Sequence, residues 1–284
     1  MSKNLAAGLA LLGLPLFAAL PANANTIVYN DFYSSAGLTL QGAANISNEP
    51  GILQLTPAIS MLSGAAWLAN PITLGAGGSF STSFQMQISK VGGVGAADGI
   101  TFFLGANTTG LGKTGGTMGY SSGPKNSFAI EFDTYNNGAP QDINGNHVAV
   151  DLRGALNNFA ANTPYGVTTC APGNLINGCM ANGNIWDVAI DYDGLTKKLN
   201  VYVTDSAIGS PFHVINNYTL DAIGILGTST VYAGFTGATG GGYEQQDILS
   251  WTFDNKRPIP EPLSLSLLGA GIAGAAVLRR RRKA

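Results

Sequence analysis

The stretch EFDTYNNGAPQDINGNH, from Glu131 to His147, holds three carboxylates, four asparagines and one of the two histidines in a chain of 284 residues. With the period of two of a β-strand, SFAIEFDTY sends Phe128, Ile130 and Phe132 to one face and Ala129, Glu131, Asp133 and Tyr135 to the other. One face is apolar; the other carries two carboxylates ~7 Å apart along the backbone. HVAVDL repeats the arrangement, with Val148, Val150 and Leu152 opposite His147, Ala149 and Asp151, and the loop between the two strands adds Asn137 and Asp142. If the strands are neighbours their polar faces converge at the loop end, where like charges must shift their pKa values or recruit cations. Carboxylate, amide and carbonyl oxygens suit calcium, and an imidazole among carboxylates suits a transition metal such as manganese. Asp133 and Asp142 lie between the two sets and are placed to bridge a pair of ions. On residue types alone, a solvated hairpin loop rich in turn-forming Asn and Gly also fits.

The elements that must hold this stretch are strands. GILQLT, SFSTSFQMQIS, ADGITFFLGA, HVAVDL, IWDVAIDYD, KLNVYVTD, STVYAGFTGA and DILSWTFDN are short runs rich in Val, Ile, Phe, Thr and Tyr, bounded by Gly, Asn, Pro and Ser. Period-two alternation dominates and no window of helical length keeps a 3.6-residue pattern, so the expected fold is all-β, a sandwich or barrel. Residues 25–255 contain no linker and no 20–50-residue repeat, which fits one jelly-roll domain with long loops rather than a propeller or solenoid.

Both ends read as targeting segments. Residues 1–24 combine Lys3, an apolar run from Leu5 to Leu20 and small residues at Ala22 and Ala24, the pattern of a secretory signal cut after Ala24. At the other end a linker, 256–262, contains Pro260, Glu261 and Pro262. An apolar run, 263–278, follows, and then Arg279 to Arg282 and Lys283 in a basic tail, 279–284. At ~1.5 Å per residue the apolar run reaches about 24 Å, a short transmembrane helix whose basic tail stays cytoplasmic. Pro-Glu-Pro, an apolar helix and an arginine cluster in this order resemble the PEP-CTERM sorting signal. That resemblance implies processing by an exosortase and delivery to the cell surface, outer membrane or extracellular matrix of a Gram-negative bacterium. Loss of both ends removes Lys3 and the five tail cations but no acid, so the exported domain is acidic and has no basic face for nucleic acid. Cys170 and Cys179 are the only cysteines, and in an oxidising compartment they are expected to form a local disulfide.

The intervals from Glu131 to Asp133, Tyr135, Asn137, Asp142 and His147 are two, two, two, five and five residues, and with them the stretch resembles the metal site of legume (L-type) lectins. The resemblance runs from about Asn25 to Asn255 and implies a concanavalin-like jelly-roll β-sandwich. By its implication Glu131 and His147 hold Mn2+, the Tyr135 carbonyl and Asn137 hold Ca2+, and Asp133 and Asp142 hold both. ADGITFFL is similar to the family strand whose aspartate, here Asp98, follows a cis peptide and binds sugar. Gly116 in GGTMGY and Gly241 and Gly242 in the last glycine loop fall at positions that donate backbone N–H groups. Asn137 would donate its amide and the Tyr135 ring would support the sugar. The implied ligands are glycans, of mannose or glucose type, and the implied function is metal-dependent carbohydrate binding without catalysis. Ile143, where a proline often stands, and the Cys170–Cys179 segment depart from the family pattern.

Two other functions fit parts of the sequence. Laminarinase-type glycoside hydrolases share the architecture, and Glu131-Phe132-Asp133 is similar to their E-x-D-x-x-E strand. Their third carboxylate position is Asn136 here, however, and retaining catalysis needs two carboxylates ~5–5.5 Å apart. A structural matrix adhesin without sugar binding would keep the sandwich and use it for protein contacts, with the metals purely stabilising.

Overall fold

The computed structural model describes residues 26–255 apart from 140–141, 168, 171–174 and 176; the expected signal, sorting motif, transmembrane helix and basic tail lie outside the described residues. Fifteen strands are formed: β1 Thr26–Tyr29, β2 Leu38–Gly42, β3 Leu53–Thr56, β4 Ser63–Leu68, β5 Ile72–Thr73, β6 Phe80–Gly93, β7 Gly99–Gly105, β8 Ser127–Asp133, β9 His147–Leu152, β10 Ala155–Asn162, β11 Ile185–Asp193, β12 Lys198–Asp205, β13 Phe212–Thr219, β14 Thr230–Ala238 and β15 Gly242–Asp254. One short helix, α1 (Ala222–Leu226), is capped at its start by the Asp221 side chain. Among the described residues no helix is long and apolar enough to cross a membrane.

The strands build two sheets. A seven-stranded sheet runs β1-β15-β6-β11-β12-β13 with β3 also on β15, and an eight-stranded sheet runs β10-β9-β8-β7-β14-β4-β2 with β5 also on β14. The expected all-β jelly-roll sandwich is therefore what forms, and every run singled out in the sequence lies in a strand. Between the sheets Phe84 lies 4.9 Å from Phe235 and 5.7 Å from Phe132, ring centre to ring centre, in edge-on packing. Trp251, Phe102, Ile130 and Val150 are buried beside them.

A second, smaller cluster lies on the outer face of the eight-stranded sheet, where Met118, Tyr120 and Leu111 pack on Trp67, Phe103 and Ala129. This cluster clamps the long segment between β7 and β8 across the sheet. Tyr120 Oη and Ser127 Oγ are 2.9 Å apart, the Gly154 N–H donates to Tyr120 Oη, and Thr236 Oγ1 donates to the Met118 carbonyl. The predicted disulfide is present, joining Cys170 to Cys179, and both residues are buried in the main core.

The packing around Phe84 sets a stability expectation. Phe84→Ala should lower the unfolding free energy by about 3–5 kcal/mol, because the rings on both sheets leave little room to collapse. Urea unfolding checks this; a loss below about 1 kcal/mol would contradict the packing.

Candidate metal and carbohydrate site

β8 and β9 are antiparallel neighbours, with Asp133 opposite His147 and Glu131 opposite Ala149, so the two polar faces converge as the alternation requires. Glu131, Asp133 and His147 are each at most 1% exposed, and one ligand atom from each lies within 4.8 Å of the others. The Asn144 carbonyl sits 2.9 Å from His147 Nδ1 and can only accept, so Nδ1 carries the proton. The lone pair of Nε2 then points at Glu131 Oε1, 3.2 Å away. Burial pushes the His147 pKa down, which keeps the ring neutral and opposes an ordinary ion pair.

Two acceptor atoms facing one another need a proton or a cation between them. Among the described residues Asp133 Oδ2 is buried without a hydrogen-bond partner, and the Glu131 carboxyl has only the Asp151 carboxyl and the Asn158 amide in reach besides His147. Burial, and then the neighbouring carboxylates, raise the pKa of Asp133 well above its usual range; burial moves that of Glu131 to about 7. Neutral imidazole, an orphaned carboxylate oxygen and raised proton affinity together fit a divalent-cation site.

The loop closes over this cluster. Asp133 Oδ1 accepts from the Tyr135 N–H at 2.7 Å, and Asp142 accepts from the Asn137 N–H. Tyr135 also lines a cleft of about 270 Å³ with Val94, Gly95 and Asn136.

Asp98 follows a cis peptide bond from Ala97, and its strand pairs with β8 so that Gly99 lies opposite Asp133. Its carbonyl accepts from the Thr134 N–H at 3.2 Å, which ties it to the loop that carries Tyr135 and Asn137. The carboxyl group is 3% exposed, Oδ2 has no partner, and burial, helped by Asp142, lifts its pKa to about 7. Gly116 packs against Asn137 so closely that a Cβ there would lie 2.6 Å from Asn137 Oδ1. Asp98, Asn137 and Gly116, far apart in sequence, are thus gathered beside the acid and imidazole cluster.

In the final glycine loop a third glycine, before Gly241 and Gly242, reaches Asp98. Gly240 adjoins Asp98, with its added Cβ position 3.2 Å from Oδ2, whereas Gly242 starts β15 and packs against Gly95 and Ala97. Gly241 has open space around it. All three glycines are consecutive in the sequence, so a register of one residue decides which of them meets the carboxylate.

Sequence reading puts Asp151 on the polar face without a role and does not reach Glu244 or Asn158. Glu244 is fully buried, accepts from Thr134 Oγ1 at 2.9 and 3.0 Å and from Gln246 Nε2 at 3.1 Å, and joins β15 to the loop residue between Asp133 and Tyr135. Gln245, Gln246 and Asp247 beside it are buried too, so GYEQQD shows no apolar alternation that would mark Glu244 out in the sequence. Asp151 lies buried next to Glu131 and accepts from the Asn157 N–H at 2.8 Å, while the Asn158 side chain adjoins both Glu131 and His147.

Two facing sheets with a buried acid and imidazole cluster at a loop end define a lectin-type jelly roll. Comparison with known proteins agrees: the Legume lectin domain family matches residues 24–268, and the chain belongs to that carbohydrate-binding, non-catalytic family. Arabidopsis thaliana L-type lectin-domain containing receptor kinase VIII.1 is 30% identical over 247 residues, which cover 82% of this chain and 32% of that protein. L-type lectin-domain containing receptor kinase SIT2 of Oryza sativa subsp. japonica is 28% identical over 259 residues, covering 86% and 38%. The chain therefore spans about a third of the length of these relatives. The solved basic winged bean lectin with Tn-antigen superposes with a TM-score of 0.65 at 26% identity, covering 82% of this chain and 98% of that one. Winged bean acidic lectin complexed with methyl-α-D-galactose gives 0.66 at 27%, with the same coverage.

Burial, the largest cause, raises the Glu244 pKa from 4.5 to about 8, so the folded state keeps a proton that the unfolded chain releases. The stability this group contributes is full below about pH 4.5 and is lost as pH rises towards 8. Glu244→Gln, which imitates the protonated form, should flatten the fall in stability of the metal-free protein between pH 5 and 8. Urea midpoints measured across that range check it; an unchanged slope would show that Glu244 is ionised in the fold.

Proposed function

We propose that this chain is an exported, metal-dependent lectin of the bacterial cell surface or exopolysaccharide matrix. The observation that carries the reading is the gathering of Asp98, Asn137 and Gly116 beside Glu131, Asp133 and His147. In this reading Glu131, Asp133, Asp142 and His147 hold Mn2+, and Asp133, Asp142, Asn137 and the Tyr135 carbonyl hold Ca2+. The cations supply positive charge that lets the buried carboxylates ionise and fixes the loop; they take no part in bond making.

Sugar recognition then falls to the chain's own groups. Asp98, ionised beside the bound cations, accepts hydrogen bonds from sugar hydroxyls through its unpartnered Oδ2. Asn137 and the Gly116 N–H donate, Tyr135 offers a ring to the apolar face of the sugar, and Gly241, in open space, contributes its backbone. Gly240 leaves room above Asp98, where a side chain would stand against the carboxylate. Small sites of this kind bind weakly one at a time, so presentation in many copies at a surface or in a matrix raises avidity.

The sugar class proposed is mannose or glucose; the winged bean neighbours carry Tn-antigen and a galactoside, so both classes belong in the test. Export, exosortase processing of the Pro260-Glu261-Pro262 tail and the membrane-spanning intermediate rest on the two end segments.

The purified protein should contain calcium and manganese by elemental analysis and bind hexose glycans on an array, and exhaustive chelation should abolish that binding. Asp98→Asn should keep both metals and lose about ten- to a hundredfold in sugar affinity. Asp133→Asn should lose metal and sugar together. Undiminished binding after chelation to the glycans that Asp98→Asn fails to bind would refute the reading.

A further inference from the structure

The outer face of the seven-stranded sheet carries a groove of about 590 Å³ on the sheet opposite the one that bears Asp98 and the metal cluster. Strand register explains its shape. Ser250, Gln85, Asp187 and Thr204 lie side by side on β15, β6, β11 and β12, forming a row across four strands. The next outward row is Thr252, Ser83, Ala189 and Tyr202. Three small side chains make a floor, and the Tyr202 ring closes one end. At ~4.8 Å between strands each row runs about 14 Å, longer than one pyranose ring.

The groups along the wall are set for hydrogen bonding. Gln85 Nε2 donates to Asp187 Oδ1 at 2.9 Å, which leaves the second carboxylate oxygen of Asp187 free to face the groove and fixes the amide plane. Tyr202 is 37% exposed, and its ring is stacked on His213 with centres 4.0 Å apart and planes within 20°, so one face of the ring is fixed and supported from behind. His213 is held in turn by Asn200 Oδ1, 3.1 Å from Nε2.

Charge decides between occupants. Among the described residues no lysine or arginine lines the groove, and Asp187 is its one charged side chain. A polyanion is repelled, and so is a second copy of the chain, which would set Asp187 against its own copy in a two-fold pair. A neutral polyol fits: vicinal hydroxyls pair with the carboxylate, the amide and the Ser and Thr hydroxyls, and apolar C–H groups lie on the ring. We propose that this groove is a second, metal-independent binding site for a neutral linear oligosaccharide, with Tyr202 as its platform and Asp187 as its principal acceptor. The protein then grips one polysaccharide network at two unlike sites on opposite sheets.

The test uses the purified protein after exhaustive chelation, titrated calorimetrically with cellohexaose, xylohexaose, mannohexaose and laminarihexaose. At least one hexasaccharide should bind, Asp98→Asn should leave that binding unchanged, and Tyr202→Ala and Asp187→Asn should each weaken it by about tenfold or more. Both side chains are exposed, so thermal unfolding of the two variants should match the parent. Binding of none of the four overturns the proposal, as does binding that both variants retain. A dimer in sedimentation that Tyr202→Ala converts to monomer overturns it too, because a second copy then covers the face. Loss of the metal-dependent site alone leaves this binding intact, so the two readings fail separately.

Discussion

Burial of like charge around β8, β9 and the start of β15 is the constraint on which the remainder of the site depends. Asp98, Glu131, Asp133, Asp151 and Glu244 are each at most 3% exposed. Among the described residues no lysine or arginine forms a salt bridge with any of them. An ionised carboxylate held out of water without a partner costs several kcal/mol, so such a group takes up a proton or a cation. The raised pKa values of all five express the first choice. A divalent ion at Glu131, Asp133 and His147 is the second, and it would displace protons as it binds. Proton and metal would therefore compete for the same oxygen atoms, and acidification would loosen a bound ion.

Such a cluster persists because the stability of the fold is generated elsewhere. The aromatic core around Phe84, Phe235 and Trp251 lies between the sheets, whereas the acids occupy the outward positions of β8 and β9, so alternation keeps the two apart. The smaller cluster of Met118, Tyr120 and Leu111 then covers the outer face and lays Gly116 beside Asn137. Apolar packing on one side and an unfavourable polar cluster on the other are consequences of one period-two pattern.

That pattern explains what the sequence made legible. In β8 and β9 the alternation is clean, so the facing directions and the convergence of Glu131, Asp133 and His147 could be read from SFAIEFD and HVAVDL. β1, β2, β4, β5, β10 and β13 are not among the runs that stand out in the sequence, and for β4, β10 and β13 the physical reason is plain. SGAAWL is buried along nearly its whole length and so shows no alternation. ALNNFAAN is an edge strand with register shifts and positive φ at Asn158 and Ala160, where asparagine suits the backbone and obscures the pattern. FHVINNYT, at the edge of the other sheet, has the same fault beside Asn217. The placement of Gly240 against Asp98 was not legible either, because consecutive glycines carry no side-chain pattern from which register can be read.

A binding surface made of one carboxylate, one amide and backbone N–H groups has little side-chain surface to hold its own shape. Ordering such loops during binding would consume most of what a few sugar hydrogen bonds provide, so the geometry must exist beforehand. In this chain the ties are visible: Thr134 links the Asp98 carbonyl to Glu244, Asp133 holds the Tyr135 N–H, and Asp142 holds the Asn137 N–H. Each tie ends on a carboxyl group or on the residue next to one. The acids that make this end of the sheet electrostatically unfavourable are thus the same groups that fix the loops, and neutralising them with cations rather than protons would keep every oxygen available as an acceptor.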